Sequence, residues 1–414
     1  MSSTASIPNV EPAGQAPVPR RPRTLVGQIV GDTLGRWGAR FGAAWIGLAA
    51  ACAIFAPFIA NTHPIVMKVN GEVTWPLLRH LNATDVILLV LTLAAVVLWL
   101  LPRPGAGAKL GVFAVIAAVA IPLCLLTVHP PENVNFTKYR TLKAAAEKGG
   151  PDAPKVDYMV RTLLPFSPED YLRDKQDQRL RKPDATHVMG TEINGADVLS
   201  RLIHASRVAL AIGFVATGIE VLIGVFIGGL MGYFAGVVDM LGMRLVEIFE
   251  AIPTLFLILT FVAFFGHDMI LIMVILGLTG WTGYARFVRA EYLKLRSQDF
   301  VVAARACGLP LYSILFRHML PNGMAPVLVS ISFSVASAIL YEATLSFLGL
   351  GPVGAPSWGA LLEQARSSGG TFYWWVALFP GLAIFLTVFS YNLIGEALRD
   401  AVDPHTRKLQ RAGT

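Results

Sequence analysis

The run VALAIGFVATGIEVLIGVFIGGLMGYFA, Val208–Ala235, holds a single charged side chain, Glu220, along its whole length. A hydrocarbon layer of ~30 Å needs ~20 apolar residues of helix. A segment apolar on every face is a buried or membrane-spanning helix, not an amphipathic surface one. Similar apolar runs recur at Phe41–Thr62, Val86–Leu101, Leu110–Val128, Leu241–Phe265, Met269–Ala285, Met324–Gly349 and Phe372–Ala397. The pattern predicts an all-α polytopic membrane protein of about eight helices, with Val86–Leu101 the shortest.

Composition agrees. Of 414 residues, 54% are hydrophobic and 15% charged, and the mean hydropathy is +0.58. Soluble domains run nearer ~25% charged. Disorder is excluded for most of the chain, and so is a disulfide-stapled secreted domain. Cys52, Cys124 and Cys307 show no CxxC spacing and read as free thiols. No cleavable signal peptide is expected, because the first apolar run exceeds signal-peptide length and follows a Pro-rich, basic tail.

The net charge of +7 is spread among short segments between apolar runs, which argues for loop asymmetry and against nucleic-acid binding. Met1–Arg40 carries five Arg against Glu11 and Asp32, and Arg286–Asn322 carries six Lys or Arg against Glu291 and Asp299. The insert His129–Ser200 is balanced, with eleven basic and eleven acidic residues. Placing both termini, the Arg103/Lys109 turn and Arg286–Asn322 in the cytoplasm satisfies the positive-inside rule for eight spans. The insert then faces outward. Its prolines predict a loose loop with short helices.

The segment Arg286–Asn322 is unlike an ordinary loop. It reads as a short helix, a Gly308-Leu309-Pro310 break, and a second short helix ending before Pro321. Val301, Ala304, Leu311, Ile314 and Leu315 lie among Arg305 and Arg317, a pattern that can offer an apolar knob with basic flanks to a soluble partner. Periodicity alone equally allows an amphipathic pair lying on the membrane.

The spacing Ala303-Ala304-x3-Gly308-x11-Leu320-Pro321 resembles the EAA loop of ABC importer permeases. Val302 stands where that family has Glu, and His318 where it has Ile. Met189-Gly-Thr-Glu-Ile-Asn-Gly-Ala-Asp-Val-Leu-Ser-Arg201, followed by Arg207, resembles the GTDxxGRDxxSR signature of the dipeptide/oligopeptide (Opp/Dpp) branch, with Glu192 and Ala196 as departures. Ser346–Gly351, Pro356–Gly359 and Gly395–Pro404 also match, so the resemblance covers about 187–407 in family order. Ile59–Val66, Trp75–Arg79 and Ile252–Leu259 resemble the Yej-type permease, whose systems take up oligopeptides and microcin C.

The resemblance implies a type I ABC importer transmembrane domain, with 86–128 as an extra N-terminal hairpin. The division is a cytoplasmic tail 1–40, a first helix plus hairpin 41–128, an extracytoplasmic loop 129–204, a core permease domain 205–400 with coupling loop 286–322, and a cytoplasmic tail 401–414. It implies a multi-pass protein of the cytoplasmic membrane that translocates peptides or peptide-like compounds. The implied partners are a second permease, two ATPase subunits, an extracytoplasmic substrate-binding protein, a peptide substrate and lipid. Ala303, Ala304, Arg305, Gly308, Leu320 and Pro321 would transmit ATP-driven closure.

The chain has no GxxxxGK[ST] motif and no Gly-Lys dipeptide. No cofactor is therefore expected on this chain, with ATP and Mg on the ATPases. Neither a metal site nor a catalytic residue is expected. The His residues are scattered, and Ser200, Ser206 and His204 lack a nucleophile elbow. Intramembrane charges remain. Glu247, Glu250 and Glu342 read as hydrogen-bonded or end positions, whereas Glu220 could face the pore or the partner permease. The alternative function is a proton-coupled secondary transporter acting without an ATPase, with Glu220 as its coupling group. Phe372–Trp375 reads as an interfacial aromatic belt, and Gly224, Gly228, Gly229 and Gly232 as a close-packing face.

Overall fold

The computed structural model describes residues 25–102, 105–131, 135–142, 155–172, 178–352, 354–367 and 371–402. Residues 1–24 of the expected N-terminal tail, Arg103, and residues 403–414 of the expected C-terminal tail lie outside these.

A short helix α1 (Leu25–Leu34) leads into the first long helix α2 (Trp37–Ile59). A two-strand hairpin, β1 (Val66–Val69) and β2 (Glu72–Thr74), and the short α3 (Pro76–Arg79) follow. The expected extra hairpin is α4 (Ala83–Leu100) and α5 (Ala106–Thr127). Strand β3 (Val156–Val160) belongs to the insert. The core comprises α6 (Val198–Phe234), α7 (Gly236–Ala251), α8 (Thr254–Phe265), α9 (Met269–Leu295), α10 (Asp299–Ala306), a π-helical turn Ser313–Met319, α11 (Leu320–Phe347), α12 (Trp358–Ser367) and α13 (Trp374–Val402). Among the described residues, seven helices are long and apolar enough to cross a membrane, and α7 plus α8 make an eighth if counted as one bent span.

That eighth span differs from its expectation. The run Leu241–Phe265 predicts one helix kinked at Pro253, but α7 and α8 meet at 79°. Proline lacks a backbone N–H and pushes the residue before it out of the helical region. Ile252 is accordingly extended, at φ −98° and ψ 124°.

The insert also differs: where a loose loop with short helices was expected, its strand β3 joins the β1–β2 hairpin that follows α2 in one sheet. The strand order is β2-β1-β3, antiparallel throughout. Asn70 and Gly71 turn β1 into β2 with φ of 53° and 87°. Asn-Gly is the dipeptide that suits a two-residue turn with both φ positive.

Helix α6 begins ten residues before its apolar run, capped by Asp197, whose side chain accepts from the Ser200 amide. Its 37 residues span ~55 Å. Its glycine face packs on α9 at backbone distance: a Cβ on Gly228 would collide with the Ala285 carbonyl, and one on Gly232 would stand 2.6 Å from the Arg289 carbonyl. Small residues permit such an approach where lipid supplies no hydrophobic drive between helices. The bundle thus has two functional ends, the insert at the start of α6 and the 286–322 loop at its finish. Arg36, just before α2, pairs with Asp400 in α13, and α13 begins beside the insert through Trp375. The start of α2 and the finish of α13 therefore share the loop end.

Candidate coupling site

Helix α10 ends in a Schellman motif. The Gly308 amide donates to the Arg305 carbonyl at 2.9 Å, and the Leu309 amide to the Ala304 carbonyl at 3.2 Å. Gly308 has φ +68°, the left-handed conformation that glycine adopts without a Cβ penalty. Pro310 then starts the chain back toward the bundle, and its carbonyl accepts from Ser313 and Ile314.

One face of this segment is anchored. Val301, Ala304, Ile314, Leu315 and Met319 are buried against Val225 of α6, Val288 and Tyr292 of α9, and Val327 of α11. The Tyr292 hydroxyl donates to the Leu315 carbonyl at 2.8 Å. Arg305 donates to the Arg296 carbonyl at 2.5 Å and lies over the Tyr233 ring. A push on α10 therefore meets α6, α9 and α11 through packed side chains.

The other face is open. Val302 is 50% and Tyr312 70% exposed, with Leu309, Leu311 and Phe316 beside them. This corrects the expected knob. Of the five residues assigned to it, Leu311 alone faces outward, and Val301, Ala304, Ile314 and Leu315 face the bundle. Apolar character did not distinguish a partner-facing residue from one facing its own helices. The second half of the loop also differs from a short helix ending before Pro321. The π turn runs directly into α11, where Pro321 occupies the first turn and its missing N–H costs nothing.

Of the expected coupling residues, Ala303, Arg305, Gly308 and Pro321 are exposed, Leu320 is half-buried, and Ala304 is buried. Ala303, Ala304, Arg305 and Gly308 lie at the Schellman turn, whereas Leu320 and Pro321 open α11 after the π-helical stretch. Glu220 lies elsewhere, midway along α6, its carboxyl against Gly280 of α9 and facing Ser334 of α11. It forms no ion pair among the described residues.

The other acids have plain partners. Glu247 pairs with Arg244, Glu250 with Arg286 at 2.7 Å, and Glu342 accepts from the Ser346 and Ser357 hydroxyls at 2.7 and 2.6 Å. Ser200 donates to the Phe166 carbonyl and Ser206 to the Ile203 carbonyl, so neither hydroxyl addresses His204. Among the described residues no His/Cys/Asp/Glu group could hold a metal ion.

At the insert end the signature residues form a buried knot that sequence reasoning treated as a label. His187 Nδ1 lies 2.8 Å from the Asp197 carboxylate, which also caps α6. Glu192 and Arg201 approach to 3.5 Å. Burial pushes the Glu192 carboxyl above the usual range, with Arg201 opposing the shift. Trp375 donates to the Thr191 carbonyl and Trp358 to the Leu202 carbonyl, each at 3.1 Å. Trp375 is thus a core anchor of the loop, not a belt residue. Asp85, which pairs with Arg207, was also missed. Its sequence signal was Asn82-x-x-Asp85, a capping box opening an apolar run.

Residues 224–408 match the family described as binding-protein-dependent transport system inner membrane component. The dipeptide transport system permease protein DppC of Bacillus subtilis is 34% identical over 254 residues, 61% of this chain and 79% of that protein. The oligopeptide transport system permease protein OppC of Haemophilus influenzae is 40% identical over 224 residues, 53% of this chain and 71% of that protein. The inner membrane ABC transporter permease protein YejE of Escherichia coli is 38% identical over 224 residues, 54% of this chain and 65% of that protein. A solved inward-facing structure of the MetNI methionine ABC transporter aligns at 19% identity and TM-score 0.41, covering 49% of this chain and 96% of that chain. With a long stretch of its helical core matched and most of the DppC length covered, this chain belongs to the family of inner-membrane components of binding-protein-dependent transport systems.

Proposed function

We propose that this chain is the membrane-spanning permease subunit of an ATP-driven ABC importer of peptides or peptide-like compounds. It works with a second permease, two ATPase subunits that hold ATP and Mg, and an extracytoplasmic substrate-binding protein. The single observation that supports this reading best is the two-faced turn at 299–319. Its inner face is packed on three core helices, and its outer face leaves Val302, Leu309, Leu311 and Tyr312 exposed beside Arg305. Such a turn can convert closure of a soluble partner into rigid-body movement of the helices it is packed on. The loop end, with both chain termini, faces the cytoplasm, and the insert faces outward. The peptide cargo is carried over from the dipeptide and oligopeptide transport relatives.

The test is to tag the chain, extract it gently and identify what co-purifies in stoichiometric amount. A P-loop ATPase and a second permease, with peptide-stimulated ATP hydrolysis in vesicles, is the expected result. A chain that emerges alone and transports without ATP overturns the reading. The second reading, a proton-coupled carrier, draws on the Glu220 carboxyl lying within the bundle without an ion pair. It requires uptake driven by a proton gradient and lost in Glu220→Gln.

A further inference from the structure

The hairpin α4–α5 lies outside the residues matched to the family, and many of its apolar side chains are exposed. Leu93, Trp99, Leu110, Val115 and Leu126 are all exposed. Along α4 the buried residue is not an apolar one but Asp85. Lipid tails accommodate leucine as well as another helix does, so apolar packing gives such a hairpin little reason to stay in one place. An ion pair shielded from water does, because separating it leaves an unpaired charge in a medium that solvates charge poorly.

The Asp85 carboxyl is used on both sides. Oδ1 accepts from Arg207 Nη1 of α6, and Oδ2 accepts from the Asn82 amide at 2.8 Å, capping α4. The same guanidinium donates through Nε to the Ala53 carbonyl of α2 at 2.5 Å. His204, one turn before Arg207, lies in the field of both charges. One arginine therefore joins the insert-side ends of α2, α4 and α6. The first two of these helices enter the bundle well before the family-matched region, and the third runs on into it.

We propose that Asp85 is a positioning residue for transport: acting through Arg207, it locks the insert-side ends of α2, α4 and α6 into one block, so that the hairpin moves with the core. The proposal rests on the importer reading for its transport consequence but not for the lock itself. Asp85→Asn keeps the cap to Asn82 and removes the charge, and so separates the pair from the helix it starts.

In the complex with its partner subunits in proteoliposomes, D85N should lower the maximal uptake rate about tenfold with the apparent KM for loaded binding protein unchanged. ATP hydrolysis should persist, since the loop-end contacts are untouched. D85E, which keeps the charge, should restore a large part of the rate. Uptake by D85N within about twofold of the parent overturns the proposal. So does a loss in which uptake and ATP hydrolysis fall together with the amount of folded complex. The lock has its own readout: hydrogen exchange of residues 83–88 should accelerate in R207Q while α9 and α11 keep their protection. Unchanged protection there overturns the lock. Absence of ATP-driven uptake in the parent complex, by contrast, fails the importer reading and leaves the exchange result standing.

Discussion

The carboxyl of Glu220 occupies the place where a side chain on Gly280 would begin: a Cβ built on Gly280 would collide with Glu220 Oε1 and Cδ. The two residues form a size-matched pair across the α6–α9 crossing, and Ser334 closes the site from α11. Gly280→Ala should therefore destabilise the subunit by about 1–3 kcal/mol, the range for overpacking a close-packed site. Thermal unfolding in detergent measures it, and the double variant G280A/E220A should recover most of the loss because the clash is removed. Full stability of G280A alone would refute the predicted loss and show that the Glu220 side chain moves aside for a methyl group at little cost.

Gly308 has open space around it but a φ of +68°, so the penalty on replacement comes from the backbone and not from a neighbour. Gly308→Val should cost about 1–2 kcal/mol locally and unwind the Schellman turn. The expected outcome is normal abundance in the membrane with uptake sharply reduced and partner ATPase activity no longer stimulated by cargo. Unchanged uptake would count heavily against the role of this turn in coupling.

Tyr312 is 70% exposed on the outer face of the same turn, and no core residue depends on its ring. Tyr312→Asp places a charge on the exposed apolar face proposed to meet the ATPase, a substitution that desolvates badly on docking. Co-purification of the ATPase should fall about tenfold while the thermal midpoint of the isolated subunit stays unchanged. Equal recovery of ATPase from both forms would move the docking site elsewhere.

His63, buried in the loop after α2, stacks on His80 with ring centroids 3.9 Å apart and meets Tyr139 edge-on at 5.4 Å. Its Nδ1 faces Asn61 Oδ1 at 2.9 Å, and His80 Nδ1 faces the Pro76 carbonyl at 2.8 Å. Burial first, then His80 and Lys138, push the His63 imidazole down to about 4. Arg79 lies near the same Tyr139 ring and Lys138 lies over it, so the named charged neighbours are cationic. A folded pKa below the unfolded value of ~6.5 means the unfolded segment binds the proton more readily. The contribution to stability is complete above pH ~6.5 and is lost as pH falls from there toward 4. Hydrogen exchange of residues 61–80, corrected for its intrinsic pH dependence, should show this loss in the parent and not in His63→Gln. A pH-independent profile in the parent would refute it.

Membrane class, the seven long apolar helices among the described residues and the break at Gly308 were legible in the chain. Each is written in one-dimensional signals: runs of apolar residues, breaks at Gly308 and Pro310, and charge balance between runs. The resemblance to the EAA loop then located the turn's Ala and Gly positions. Less legible was direction. Val301 and Leu311 are both apolar and lie in one short segment, yet the first is buried on the bundle and the second is exposed. In a membrane-attached element either face can be apolar, so hydrophobicity loses the inside-outside contrast that it carries in water.

The β1–β2 hairpin was announced by Val69-Asn70-Gly71 and passed over, and β3 was illegible because it lies far along the chain and pairing over that distance leaves no local mark. Asp85 was passed over for the same reason. Its partner Arg207 is 122 residues away, and nothing near either residue names the other. The sequence by itself determined which segments are helical, where they break and which family pattern they follow, since these depend on local propensity and on burial in lipid. Which acid meets which base, and which side of the 299–319 turn is left free, depended on how helices distant in sequence came to lie side by side, and that was decided by the packing of α2, α4, α6, α9 and α11.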